Sequence, residues 1–243
     1  MKTMKTYSLF FCFLFLTFTI TFGQPPKYAD LFEMYAEENY KKLITKAEKY
    51  CLDEKTKNDP WAHYWLGKGL FRISFQNDRS SDFKNAASDA IISLKTALKK
   101  DKSHDLIDKE KDFFIEVKNS LLEQAVNEAT VKNHKKCGLI SRKSLSLFPD
   151  DIPSKLLDAY SKSQLKEIQQ AEIIWVEIEH SIQNLNYSNW TEKEKENFRF
   201  ILLFTIDEMI KDKKSSEAKK IALKAKEMYP TDEEINKKVS SFN

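Results

Sequence analysis

The four histidines of the chain are the first residues to consider for catalysis or metal binding. They lie far apart in the sequence, at His63, His104, His134 and His180. None has a second histidine or a carboxylate at a metal-ligand spacing such as His-Glu-x-x-His, in which two histidines one helical turn apart share a face. The sequence therefore predicts neither a metal site nor a catalytic histidine.

Other catalytic patterns are missing as well. Glu177 and Glu179 are close in sequence but point to different sides of a helix, so they make no acid–base pair. Gly67 and Gly69 lie in a helical pattern without the Lys-Ser/Thr of a phosphate-binding loop, and no Gly-x-Ser-x-Gly occurs. We expect a non-catalytic protein without a cofactor. The alternative is a small exported helical enzyme, of the hydrolase kind, whose carboxylates the sequence does not single out.

The N-terminal segment predicts export. Lys2 and Lys5 precede a run of 16 uncharged residues, Tyr7 to Phe22, and Gly23 offers a small residue before a cleavage point. We interpret residues 1–23 as a signal peptide and place the mature chain in the periplasm, the cell envelope or the secreted fraction. The alternative is an uncleaved anchor of an envelope complex, although a spanning helix needs roughly 20 apolar residues.

Two cysteines, Cys51 and Cys137, remain after the predicted cleavage. Both fall inside predicted helices that are far apart in the sequence. Export would permit a disulfide between them, but small buried thiols are the favoured interpretation.

Charge and composition bear on two questions, whether the protein binds nucleic acid and which fold class it adopts. The full chain has 40 basic and 37 acidic residues, and loss of Lys2 and Lys5 leaves a single excess positive charge. That balance argues against a nucleic-acid-binding surface. Only four glycines occur in 243 residues, too few for the turns and phosphate loops of most β and α/β folds. An all-α fold is therefore predicted.

Hydrophobic periodicity is helical nearly throughout the chain from residue 27 onward, and we interpret residues 24–243 as a single domain. Thr191 to Glu194 forms a capping box, and the four prolines beyond the leader region lie at helix boundaries. Ten helices are predicted, near residues 27–38, 39–55, 60–76, 82–101, 105–131, 133–147, 152–163, 165–185, 192–211 and 214–229.

A pattern of small residues recurs within the chain. It occupies the second helix of a pair, where short side chains let two helices approach closely. Its two best copies lie 81 residues apart, at Cys137, Ser141, Ser144 and Pro149, and at Ala218, Ala222, Ala225 and Pro230. A third copy without the proline comprises Ala90, Leu94, Ala97 and Leu98.

With this internal repeat the chain resembles the tetratricopeptide repeat (TPR) family, whose units are antiparallel helix pairs of 34 residues. Leu66-Gly67 followed by Leu70 is similar to the first-helix motif of that family, and Asn39-Tyr40 is similar to its turn into the second helix. The unit lengths are uneven, with insertions near 76–84 and 186–191. The resemblance implies an α-solenoid of about five helix pairs that binds or scaffolds other proteins.

The same resemblance singles out one helix as a partner site. If Leu66, Gly67 and Leu70 face the packing side, five other residues of that helix, Phe71 among them, tend toward the inner, concave face, on which this family commonly binds peptides. Aromatic rings beside cations would stack on side chains and pair with a carboxylate. The predicted partner-binding residues are Trp61, Tyr64, Lys68 and Arg72. The alternative is that Trp61, with Trp65 one turn later, belongs to the core.

Two further features complete the sequence-based expectations. Residues 198–206 are apolar on nearly every side, which predicts a central helix covered by its neighbours. The alternative is an exposed surface for a partner. Asn186 and Asn189 begin glycosylation sequons in a predicted loop. The expected partner is a protein or peptide, with no nucleic acid and no membrane span after signal cleavage.

Overall fold

A computed structural model describes residues 28–77, 80–185, 187–188 and 190–242. The predicted signal peptide and both sequon asparagines, Asn186 and Asn189, lie outside these residues. The described part contains twelve α-helices, one 3₁₀ turn at Ser81–Phe83 and no strand. The helices are α1 (Ala29–Ala36), α2 (Tyr40–Leu52), α3 (Pro60–Ile73), α4 (Ala86–Lys100), α5 (Leu106–Lys109), α6 (Lys111–Thr130), α7 (His134–Leu145), α8 (Ile152–Gln164), α9 (Ile168–Gln183), α10 (Glu192–Lys211), α11 (Ser215–Met228) and α12 (Glu233–Ser240).

The predicted all-α fold is confirmed, with two differences in helix number. The single helix expected over 105–131 is divided into α5 and α6 at Glu110, whose backbone leaves the helical region at φ −116° and ψ 32°. A short C-terminal helix, α12, was not predicted. Its N-cap is Asp232, whose side chain accepts a hydrogen bond from the Ile235 amide at 3.0 Å.

The helices pack as consecutive antiparallel pairs in a solenoid-like arrangement. The pairs are α1–α2, α3–α4, α6–α7, α8–α9 and α10–α11, and α12 packs on α11 as a final single helix. First helices also contact one another, α6 with α8, α8 with α10, and α6 with α10. These first helices form one layer of the solenoid, so the groove described below is built on them.

Four of the five pairs share one turn geometry. The residue two positions after the first helix has a left-handed backbone, with φ between 56° and 67°, at Glu38, Lys132, Lys166 and Lys213. The following amide donates 2.8–2.9 Å to the carbonyl five residues earlier, which satisfies a free helix-end acceptor as in a Schellman motif. This glycine-poor chain therefore places glutamate or lysine at the left-handed position of these turns, where glycine is the usual residue.

The recurring small residues occupy the core, as predicted. In α4, α7 and α11 each member at the first three positions of the pattern is no more than 1% exposed. Gly67 serves the same close approach from α3, because a Cβ placed there would lie 2.7 Å from Leu94 Cγ in α4. Gly69 faces α2, where a Cβ would lie 2.4 Å from Leu43 Cδ2. Small residues thus set the spacing on both sides of α3.

Helix α10 is largely covered, as predicted, but Phe200 is 51% exposed. Its buried side packs on α6, α8 and α11. Among the residues that the structure describes, no helix is both long and apolar enough to cross a bilayer.

Candidate partner-binding groove

Three adjoining cavities follow one face of α6 and form a continuous groove. The first, of about 420 Å³, lies between α1, α3 and the α5–α6 region. The second, of about 540 Å³, lies between the end of α3 and the middle of α6, and the third, of about 340 Å³, between α6 and α10. The first two share Asp112 and Glu116, and the last two share Glu123. We call these the first, second and third cavities.

The polar residues of α6 explain why the groove follows this helix. Seven polar residues of α6 line the cavities, and five of these follow one another at intervals of four, three, four and four residues, which keeps the five on one helical face. They are Asp112, Glu116, Asn119, Glu123 and Asn127. From the first to the last, the face extends roughly 22 Å at 1.5 Å per residue. About seven residues of extended peptide would cover that length.

Lys68 lies in the wall of the first cavity and is surrounded by aromatic rings. Its Nζ is 4.7 Å from the ring centroid of Tyr35 and 5.0–5.2 Å from those of Tyr64, Trp65 and Phe113. It donates hydrogen bonds to Tyr64 Oη at 2.6 Å and to Glu110 Oε2 at 3.1 Å. Burial lowers the pKa of Lys68, and Glu110 opposes that shift. The hydrogen-bond partners of the Lys68 ammonium are therefore residues of the same chain, Tyr64 and Glu110.

Arg72, one turn further along α3, is paired in the same way. Its guanidinium donates to both carboxylate oxygens of Glu116, with one bond at 2.7 Å, and its Nε donates to Tyr35 Oη at 2.7 Å. The hydrogen bonds to Glu116 raise the pKa of Arg72 further above its usual range. A bidentate pair of this kind fixes both side chains and neutralises the cation.

The four predicted partner-binding residues occupy three different places. Lys68 and Arg72 line the first cavity. Tyr64 is fully buried beneath them, and its hydroxyl donates a hydrogen bond to Glu110. Trp61 is partly buried and packs edge-on against Tyr64, with ring centroids 5.4 Å apart. Tyr64 and Trp61 thus support the wall of the groove, and a contact of this set with a partner stays a prediction.

The second cavity combines an apolar floor with acidic sides. Phe71 and Phe75 meet edge-on with ring centroids 5.0 Å apart, and Ile115 lies beside them. Phe75 is 58% exposed although it is a large apolar side chain. The lining carboxylates are Asp112, Glu116 and Glu123, and the remaining residues are Asn119, Ser120 and Thr191. No lysine, arginine or histidine is among the described residues that line this cavity.

The third cavity has an apolar floor and polar sides, the sides formed by Glu123, Asn127, Lys193 and Asn197. Its floor consists of Leu122 and Val126 from α6 and of Phe200 and Ile201 from α10. The ring of Phe200 stacks on that of Phe204 with an interplanar angle of 13°. Sequence reasoning missed Phe75 as a groove residue, and it favoured a covered position for the helix that carries Phe200. The polar face of α6 was the available signal, because its regular spacing marks a helix side that is not packed in the core.

A polar junction links α6 to α10 at the start of α8. Lys118 of α6 donates to Glu194 of α10 at 2.6 Å, and Asp151 at the start of α8 lies 4.0 Å from the same ammonium. Burial raises the pKa of Asp151. Burial also acts to raise the pKa of Glu194, but hydrogen bonds from Lys118 and Thr191 outweigh it and lower that pKa. The junction therefore fixes α6 and α10, the walls of the third cavity.

The remaining chemistry-bearing residues do not converge. Within the part of the chain that the structure describes, no group of three or more His, Cys, Asp or Glu side chains is placed to hold a metal ion. Cys51 and Cys137 are free thiols, the first partly buried and the second buried. His63 contacts the Lys57 carbonyl at 2.9 Å, and His134 packs edge-on against Tyr160.

Comparison of the chain with protein-family models and with curated proteins gives no match.

Proposed function

We propose that this chain is an exported, non-catalytic interaction protein of the TPR-like kind. Its partner is a protein that presents an extended peptide segment to the groove along α6. The observation that carries the proposal is the continuity of the three cavities on one face of one helix. A preformed groove on packed helices costs little ordering entropy when a peptide docks.

The composition of the groove supports binding by complementary surface. Exposed phenylalanines at positions 75 and 200 offer apolar contacts at two points, and polar α6 side chains between them offer hydrogen bonds to a peptide backbone. Exposed large aromatic side chains in concave surfaces are typical of binding sites. The pairs of Lys68 with Glu110 and of Arg72 with Glu116 hold one wall in a fixed arrangement.

Assignment to the TPR-like kind rests on repetition within the chain. The sequence motifs resemble that family, and the shared turn geometry of four helix pairs and the buried small residues of α4, α7 and α11 agree with a repeat architecture. The connections between helices differ in length, and the long one from α3 to α4 is a point at which a unit departs from the regular repeat.

Export is the second part of the proposal. It rests on the basic start and the apolar run of residues 1–23. The mass of the mature protein tests it: a chain that begins at Gln24 supports export with cleavage. A mass that includes residues 1–23 would favour the alternative, an anchored component of an envelope complex.

Affinity purification from the native cells, with matched variants, tests the binding function. Phe75→Asp with Phe200→Asp places charge in the groove, whereas Ile92→Asp places the same charge on α4, where Ile92 is 63% exposed and lines none of the three cavities. We expect a specific partner with the wild type and with Ile92→Asp, and its loss with the double variant. Equal recovery by all three proteins contradicts binding in the groove. Turnover of a small substrate without any specific partner would favour the enzyme alternative.

A further inference from the structure

The charges of the groove differ in how far they are already neutralised. Lys68 and Arg72 are the cations of the α3 wall, and their side chains are only 12% and 27% exposed. Each is bound to a carboxylate of the chain, Glu110 or Glu116. A partner carboxylate would have to displace those internal partners. The cations of this wall are thus poorly placed to select an acidic peptide.

Two of the three carboxylates that line the second cavity, Asp112 and Glu123, are more accessible. Asp112 is exposed and makes no ion pair with any described residue. Glu123 is 56% exposed, and its ion pair with Lys193, at 3.7 Å, is between two largely solvated side chains. Exposed pairs of this kind contribute little free energy, so Glu123 is free to exchange partners. The unsatisfied charge in this cavity is therefore negative.

The floor of the same cavity suits the rest of a basic side chain. Lysine and arginine bury an apolar stem while the charged head stays near polar groups. Phe71, Phe75 and Ile115 provide an apolar surface for the stem. The exposed ring of Phe75 also attracts a cation placed over its face. Asp112 and Glu123 border this floor, where the charged head would lie.

We infer that the groove selects a basic peptide segment, with a lysine or arginine side chain of the partner in the second cavity. The inference rests on the proposed peptide-binding function and adds the chemistry of the ligand. The apolar floor of the third cavity receives a second, apolar side chain. Because Ile115 and Leu122 are seven residues apart, or roughly 10 Å along the helix, that apolar side chain is about three extended residues from the basic one.

Selection from a random nonapeptide phage library tests the inference with a defined probe. We expect wild-type protein to enrich peptides that carry Lys or Arg about three residues from a large apolar residue. Asp112→Asn with Glu123→Gln keeps the shapes of both side chains and removes both charges. This variant is expected to lose the basic preference and to bind the best wild-type peptide about fourfold to twenty-fivefold more weakly, since each of the two exposed charge pairs contributes a factor of about two to five.

Glu172→Gln is the matched control, because Glu172 is exposed on α9 and lines none of the three cavities. We expect it to keep the wild-type preference and affinity. Enrichment of acidic peptides, or of peptides without a charge preference, would overturn the inference and leave peptide binding intact. Failure to enrich any peptide would overturn the proposed function itself, and the inference with it. A basic preference that persists in the Asp112→Asn, Glu123→Gln variant would show that the charge is recognised elsewhere.

Discussion

The ammonium group of Lys118 lies 2.6 Å from Glu194 Oε1 and joins α6 to α10 across the start of α8. Asp151, the N-cap of α8, lies 4.0 Å from the same ammonium. The three side chains are 17%, 8% and 6% exposed, in that order. One buried cation therefore compensates two buried carboxylates, and each of these carboxylates also helps to cap a helix.

Removal of this cation is expected to be costly. Lys118→Met leaves Glu194 and Asp151 buried without a counter-charge, and we expect the free energy of unfolding to fall by about 3 kcal/mol. Lys193→Met is the control, because its ion pair is more than half exposed and contributes less than about 1 kcal/mol. Urea denaturation followed by circular dichroism measures both. Similar losses for the two variants would contradict a structural role for the junction.

Tyr64 supports the groove from beneath, which predicts an effect on stability without one on binding. Tyr64→Phe removes the hydroxyl that accepts from Lys68 and donates to Glu110, and we expect a loss of about 1–2 kcal/mol in unfolding free energy. The affinity for a groove-binding peptide should stay the same because the ring is fully buried.

Phe75→Ala is the converse variant, since Phe75 is exposed in the groove. We expect it to weaken peptide binding while changing stability by less than about 1 kcal/mol. Fluorescence anisotropy with a library-selected peptide measures affinity for both variants. A large loss of affinity in a folded Tyr64→Phe protein would mean that Tyr64 contacts the partner directly.

The left-handed turns predict a stabilising substitution. Lys132 has φ 61°, a backbone conformation that costs a side-chain-bearing residue about 1–2 kcal/mol, so Lys132→Gly is expected to raise stability by about 0.5–1 kcal/mol. The same change at Lys95, exposed within α4, should lower stability by about 1 kcal/mol. Thermal unfolding of the wild type and of the two variants measures both changes in stability. Destabilisation by both would contradict the turn geometry.

The two cysteines give a prediction about reactivity. Burial raises the pKa of Cys51 to about 11 and that of Cys137 to about 12, so both thiols stay protonated at pH 8 and should react slowly with a thiol reagent in the native protein. In denaturant, both should react. A denatured, unreduced sample without reactive thiols would show a disulfide instead.

The same shifts set a dependence of stability on pH. In the unfolded chain these thiols ionise near pH 9, whereas in the folded chain they keep their protons to higher pH. The folded state therefore binds more protons above about pH 8.5, and stability falls as pH rises through that range. Cys137→Ala should weaken this alkaline loss, as urea titrations at several pH values would measure.

Features that depend on neighbouring residues could be predicted from the sequence. The capping box from Thr191 to Glu194 forms as expected, because both of its hydrogen bonds lie within one turn. The small residues at the first three positions of the two copies that lie 81 residues apart are buried, since each helix must approach its partner closely. The division at Glu110 was missed because no proline or glycine marks it.

The composition of the groove depends on contacts between distant residues, which the sequence does not reveal. Tyr64 was expected on the inner surface, but Phe113 and Phe114 of α6 pack against it and bury it. Lys68 and Arg72 were expected to be available for a partner carboxylate, yet α6 supplies Glu110 and Glu116 to them. Helical periodicity places a residue on a face, and only the neighbouring helix decides whether that face is free.

Site-specific photo-crosslinking tests most directly the claim that a partner peptide binds along α6. Benzoylphenylalanine would replace Phe75 or Phe200 in the groove, or Ile92 on α4 as a control, and each protein would be irradiated with a library-selected peptide. We predict crosslinked peptide from positions 75 and 200 and none from position 92. Crosslinking from position 92 without crosslinking from either groove position would contradict the account.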